Sequence, residues 1–186
     1  LQVYVLIAMI GTILPNSASY EAARHLPAGV ISILLSLVPL FAFPFAILMG
    51  NEKFLWLRLG GLALGLLGVL LIVAPEASLP ERAAIVFIPL ALIAPLFYGL
   101  EGNVVARWGT AGLDPVEVLY GASVVGAVIA LPVAVASGQF IDPRGPWGAP
   151  DYALMISSVI HVLVYSAYVW MVGRAGPVFA VQVSYL

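Results

Sequence analysis

Two titratable side chains stand inside long apolar stretches, and they set the chemistry open to this chain. Glu101 lies six residues before Arg107, about 9 Å from that helix end at a rise of ~1.5 Å per residue. An ionised group inside a span costs a few kcal/mol unless it faces protein or water, so Glu101 is expected to face the bundle. Three roles fit it: a proton or cation coupling site, a partner for a cationic group on a solute, or a carboxylate that ties two helices together. His161 lies near the middle of another apolar stretch. Ser157, Ser158, His161, Tyr165 and Tyr168 share one helical face at offsets of −4, −3, 0, +4 and +7. Such a polar stripe suits the wall of a wet cavity, with His161 bonding a solute or changing charge during its passage. It equally suits an interhelical hydrogen-bond network, because serines and tyrosines commonly join transmembrane helices.

Similar stripes recur elsewhere: Thr12, Asn16 and Tyr20; Gly29, Ser32, Ser36 and Pro39; Tyr98 with Glu101; and Gln182 with Tyr185. Polar faces on five helices can converge on one chamber, although small and hydroxyl residues are also favoured at any helix interface. A hydrolase using His161 is the enzymatic alternative, and a non-transporting structural membrane subunit is another. Against the hydrolase, the chain has no G-x-S-x-G elbow, and the serines near His161 lie on its own helix. With no cysteine, disulfides, thiol catalysis and thiolate metal sites are excluded. No metal site and no cofactor are expected.

The elements that must position these residues are membrane helices. Of the 186 residues, 63% are apolar and 9% charged, against about 25% charged in soluble domains. That excludes a water-soluble globule. Stretches free of Asp, Glu, Lys and Arg cover residues 1–20, 26–51, 59–75, 83–100, 118–141, 152–173 and 175–186. A span needs roughly 20 apolar residues, so six of these are long enough and the seventh stops halfway. Leu1 and Leu186 both lie inside apolar segments. The sequence therefore reads as a piece of a longer membrane protein, and the first stretch as a span rather than a signal peptide. The net charge of −2, with no run of like charges, offers no face for nucleic acid.

Short connections carry the charges, and Trp56, Trp108, Trp147 and Trp170 fall at or near the expected span ends, where an indole prefers the headgroup layer. Arg24, Arg82 and Arg144 lie on one side, and Lys53, Arg58, Arg107 and Arg174 on the other, which favours the second side as cytoplasmic. A shift of 150 residues lays Arg24 on Arg174 and Pro27 on Pro177. In both places a span ends in an aromatic residue, an Arg turn follows and a Pro opens the next helix. Five spans separate the two copies, so they cross the membrane in opposite directions, as inverted repeats of secondary transporters do.

The run from Leu26-Pro27-Ala28-Gly29 to Val38-Pro39-Leu40, then Met49-Gly50-Asn51-Glu52-Lys53, Leu59-Gly60-Gly61 and Gly65 to Leu71, resembles the first half of an EamA-type member of the drug/metabolite transporter (DMT) superfamily. Phe97-Tyr98-Gly99-Leu100-Glu101 and the stretch from Gly176-Pro177-Val178 to Leu186 resemble its second half. One departure is Asn51, which separates Glu52 from the Gly that closes the preceding helix. The resemblance implies an all-α polytopic fold of ten helices in two inverted halves of five, of which about seven are present. Residues 1–75 would end the first repeat, and 83–186 would be the second, itself cut short. It implies a secondary transporter that exports small metabolites, amino acids or drugs by alternating access, in the inner (plasma) membrane of a bacterium. Its partners would be the lipid bilayer, a small-molecule substrate and protons. The candidate cavity residues are Asn16, Tyr20, Ser32, Ser36, Tyr98, Glu101, Ser157, His161, Tyr165, Tyr168 and Gln182, with Glu101 and His161 as proton-coupling candidates. Gly61, Gly65 and Gly68 are expected to pack closely within the chain, and Pro39, Pro44, Pro89, Pro95 and Pro132 to kink or interrupt helices.

Overall fold

A computed structural model describes residues 1–73, 84–108, 112–138 and 140–185. The connection over 76–82 with Arg82, the repeat limits at 75 and 83, and the side chain of Tyr185 lie outside the described residues. Those residues are helical nearly throughout. We label the helices α1 (Gln2–Ala23), α2 (Ala28–Leu48), α3 (Trp56–Val73), α4 (Ala84–Trp108), α5 (Pro115–Ala136), α6 (Ala149–Ala175) and α7 (Pro177–Ala180), the last continued by a 3-10 turn over Val181–Tyr185. All but α3 and α7 are long and apolar enough to cross a membrane; the apolar stretch of α3, Trp56–Leu71, is shorter. The chain is thus a polytopic helical membrane protein.

Prolines shape these helices as their missing N–H dictates. In α2 the helix ends at Leu35 and restarts at Val38, with Pro39 in the first turn of the new segment. In α4, Pro89 opens the short stretch Ile88–Ala91, and Pro95 lies in the first turns of Ile93–Trp108. Pro44 and Pro132 are carried inside continuous helix. Other ends are capped by side chains: Asp114 accepts from the Val116 N–H at 2.8 Å to start α5, and Asp151 accepts from the Gly148 N–H at 2.7 Å to start α6. Between α6 and α7, Gly176 takes a φ of +88°, which favours a residue without a Cβ.

Small residues set the closest packing. A Cβ on Gly99 would stand 2.8 Å from the Ala42 nitrogen, so α2 and α4 touch backbone to backbone. One cluster joins five helices through Ile7, Ala8, Val105, Val118, Ala122, Val169, Val172 and Ala180. The glycine row of α3 behaves differently from its expectation: a Cβ at Gly61 or Gly68 would meet nothing within 4 Å. Helix α3 packs through its leucine side instead, with Leu62 buried against Phe43, Ala46 and Val178.

Candidate functional site: a carboxylate cavity between three helices

The site begins with an irregularity in α1. Pro15 cannot donate to the Gly11 carbonyl, and its ring crowds that group. The chain widens to a π-helical stretch over Ala8–Ile13 before α-helix resumes at Leu14. The residues of α1 that line the cavity are consequently Gly11, Asn16 and Tyr20, five and then four apart. Thr12, at the spacing a regular helix predicts, is exposed instead. Gly11 leaves room for the carboxylate of Glu101, which a Cβ there would overlap.

Around that carboxylate lies a cavity of about 350 Å³. Its wall holds Gly11, Asn16 and Tyr20 of α1, Tyr98 and Glu101 of α4, and His161, Val164, Tyr165 and Tyr168 of α6, closed by Val38, Val181 and Val183. Glu101 is 4% exposed, whereas Tyr20 is 70% exposed. Among the described residues the carboxylate accepts one hydrogen bond, from the Tyr165 hydroxyl to Oε1 at 2.6 Å. Across the cavity the Tyr98 hydroxyl donates to Asn16 Oδ1, also at 2.6 Å. The His161 and Tyr165 rings lie 5.8 Å apart, and those of Tyr165 and Tyr168 6.3 Å apart. No basic side chain pairs with Glu101 among the described residues; the ion pairs there, Glu21 with Arg24 and His25, Glu52 with Arg58, and Asp142 with Arg144, lie at helix ends and in connections. Among the described residues no three His, Asp or Glu side chains gather to hold a metal ion. What the arrangement supplies is a desolvated acid, aromatic walls and a few hydrogen-bonding groups, a combination suited to holding a small solute or a proton.

Seven candidate residues thus meet: Asn16, Tyr20, Tyr98, Glu101, His161, Tyr165 and Tyr168. Ser32, Ser36, Ser157 and Gln182 stand outside this lining. Ser32 and Ser36 bond back to their own helix, to the Ala28 and Ile33 carbonyls at 3.0 and 2.7 Å, as hydroxyls in apolar helices commonly do. Ser157 is exposed on the half of α6 that precedes its buried contacts at Val169 and Val172. Neighbouring Ser158 bonds the Leu154 carbonyl at 2.8 Å, and among the described side chains no serine lines the cavity with His161. Gln182 is exposed and stands outside the lining, which takes buried Val181 and part-exposed Val183 on either side of it.

A second polar centre was not anticipated from the sequence. Asn103 is fully buried and donates to the Ala42 and Gly99 carbonyls, both at 2.9 Å. Its Oδ1 and its main-chain carbonyl accept from Asn51 Nδ2 at 3.1 and 2.9 Å. The signal available in the sequence is the Gly99-x-x-x-Asn103 spacing, a small residue and a polar one a turn apart on one helix face. Glu52 pairs with Arg58, and its Oε1 lies 3.1 Å from where a Cβ on Gly176 would stand.

No curated protein and no solved structure matches the chain. Residues 1–74, the segment from α1 to α3, match the model of the EamA-like transporter family.

Proposed function

We propose that this chain forms the solute-binding centre of a secondary transporter that exports small metabolites, amino acids or drugs. Residues 1–75 and 83–186 belong to two inverted halves that rock about the Glu101 cavity and present it to each face of a bacterial inner membrane in turn. The observation that carries this reading is a buried carboxylate with a single hydroxyl partner, facing a cavity walled by three spans. An acid kept in that position at a cost of a few kcal/mol is explained by a ligand that completes it. A proton does so in one step of the cycle, or a cationic group of the solute does. Tyr165 orients the carboxylate, Tyr98 and Asn16 fix the opposite wall, and His161 supplies a second group able to bond the solute or take up a proton. The cytoplasmic face is the one bearing Lys53, Arg58, Arg107 and Arg174, by the excess of basic residues.

The test is a solute-flux screen with the full-length protein in proteoliposomes under an imposed pH gradient. Accumulation of at least one small solute above protein-free vesicles is the expected result. Absence of flux for every class screened, with folded protein in the bilayer, overturns the transporter reading.

A further inference from the structure

A second cavity, of about 530 Å³, is lined by Asn51, Val105, Ala106, Val169, Trp170 and Arg174, among others. Its position relative to the Glu101 cavity is the same along each of three elements. On α4 the first cavity takes Tyr98 and Glu101, and the second takes Val105 and Ala106 one turn on. On α6 the first ends at Tyr168 and the second begins at Val169. On the C-terminal segment, which runs the other way, the first takes Val181 and Val183 and the second Gly176 and Pro177. All three displacements point to the end of the bundle that holds Asn51 and Arg174.

Between the two linings, side chains of α4, α6 and α7 meet in a layer. Gly102 of α4 is buried, and the Tyr168 hydroxyl occupies the space where its Cβ would stand. Pro177 closes the layer from the third side, 3.8 Å from that same point. A tyrosine is suited to such a barrier: one rotation about χ1 removes a whole ring, and its neighbours on the helix need not move. Arg174, stacked on Trp170 at 4.8 Å, sits in the far cavity without a carboxylate partner among the described residues. We propose that the two cavities are successive compartments of one translocation path, and that Tyr168 seated on Gly102 is the barrier between them. This rests on the transporter reading, but it is read out separately, by accessibility rather than flux.

The chain has no cysteine, so single reporters are clean. Ala106→Cys, at an exposed position in the far cavity, reports on that compartment and Val164→Cys on the Glu101 compartment. An impermeant thiol reagent is applied to one face or the other of vesicles holding the full-length protein. With Tyr168 intact, Ala106→Cys is expected to react mainly from the face bearing Lys53 and Arg58, and Val164→Cys mainly from the opposite face. Tyr168→Ala should make both reactive from either face. Gly102→Ala should do the same, because the new Cβ displaces the hydroxyl. Adding Tyr168→Phe to Gly102→Ala should restore one-sided labelling, since the ring carbon that bears the hydroxyl lies 3.6 Å away, an ordinary contact. This rescue separates a barrier from general loosening of the fold. Sidedness unchanged by Tyr168→Ala, or two-sided labelling retained in the Gly102→Ala, Tyr168→Phe double variant, overturns the proposal. Flux that persists alongside either result leaves the transporter reading in place.

Discussion

Glu101 and Asn103 are two residues apart on α4, both buried, and they differ in what surrounds them. Successive residues turn about 100° around a helix, so this pair faces nearly opposite ways. Asn103 points at α2, and its amide is satisfied: both N–H groups donate to carbonyls and its Oδ1 accepts from Asn51. Glu101 points at α1 and α6, where one tyrosine hydroxyl meets a carboxylate able to accept several hydrogen bonds. The first is a clamp and the second an opening. Burial alone marks neither as functional; the difference lies in unfilled hydrogen-bonding capacity beside empty volume.

The clamp should break hardest. Gly99→Leu drives a side chain into the Ala42 backbone, which has no rotamer to yield, and should cost about 3 kcal/mol or more. Loss of monodisperse protein in detergent is the readout. Asn103→Leu leaves the Ala42 carbonyl and the Asn51 amide with fewer partners and should cost about 1–2 kcal/mol, seen as a lower thermal midpoint. Flux per folded molecule should survive that change, because Asn103 does not line the Glu101 cavity.

On the other side of α4 the order of effects reverses. Gly11→Ala meets the end of a side chain that can swing away, so stability should change little while the carboxylate loses its place. Flux should fall several-fold with an unchanged thermal midpoint; unchanged flux would remove Gly11 from the site. The smallest effect belongs to Asp142 in the connection before α6. The Arg144 main-chain N–H, and then its guanidinium, hold the Asp142 carboxyl below the usual aspartate range. A depressed carboxyl stabilises the fold above its ordinary titration range, and the contribution is lost as pH falls through the lowered value. Both side chains are exposed, so salt screens the pair. Asp142→Asn should leave thermal stability unchanged at neutral pH in physiological salt, and any difference should appear only at low salt and vanish in acid.

Helix number, approximate ends and the inward position of Glu101 were legible because they depend on local composition. Charges interrupt the spans, tryptophans mark their ends, and one acid stands where acids are costly. The stripe on α6 was legible only in part: its periodicity is regular from Ser157 to Tyr168, but α6 is buried only toward its C-terminal half, so the serines stay outside. On α1 a regular period selects Thr12, whereas the π turn before Pro15 brings in Gly11. The Asn51 to Asn103 contact joins residues 52 positions apart, and no period within one helix reports it. The glycines of α3 misled for the converse reason: small residues permit close approach but do not supply the neighbour.

The central claim is that Glu101 is the group a ligand or proton completes. It is tested most directly by comparing pH-gradient-driven flux with solute exchange at zero gradient, for the native protein and Glu101→Gln in the same proteoliposomes. The amide keeps the size of the side chain and a partner for Tyr165 while removing the exchangeable charge. Loss of gradient-driven flux with exchange retained is the expected result. Gradient-driven flux at the native rate in Glu101→Gln would contradict it.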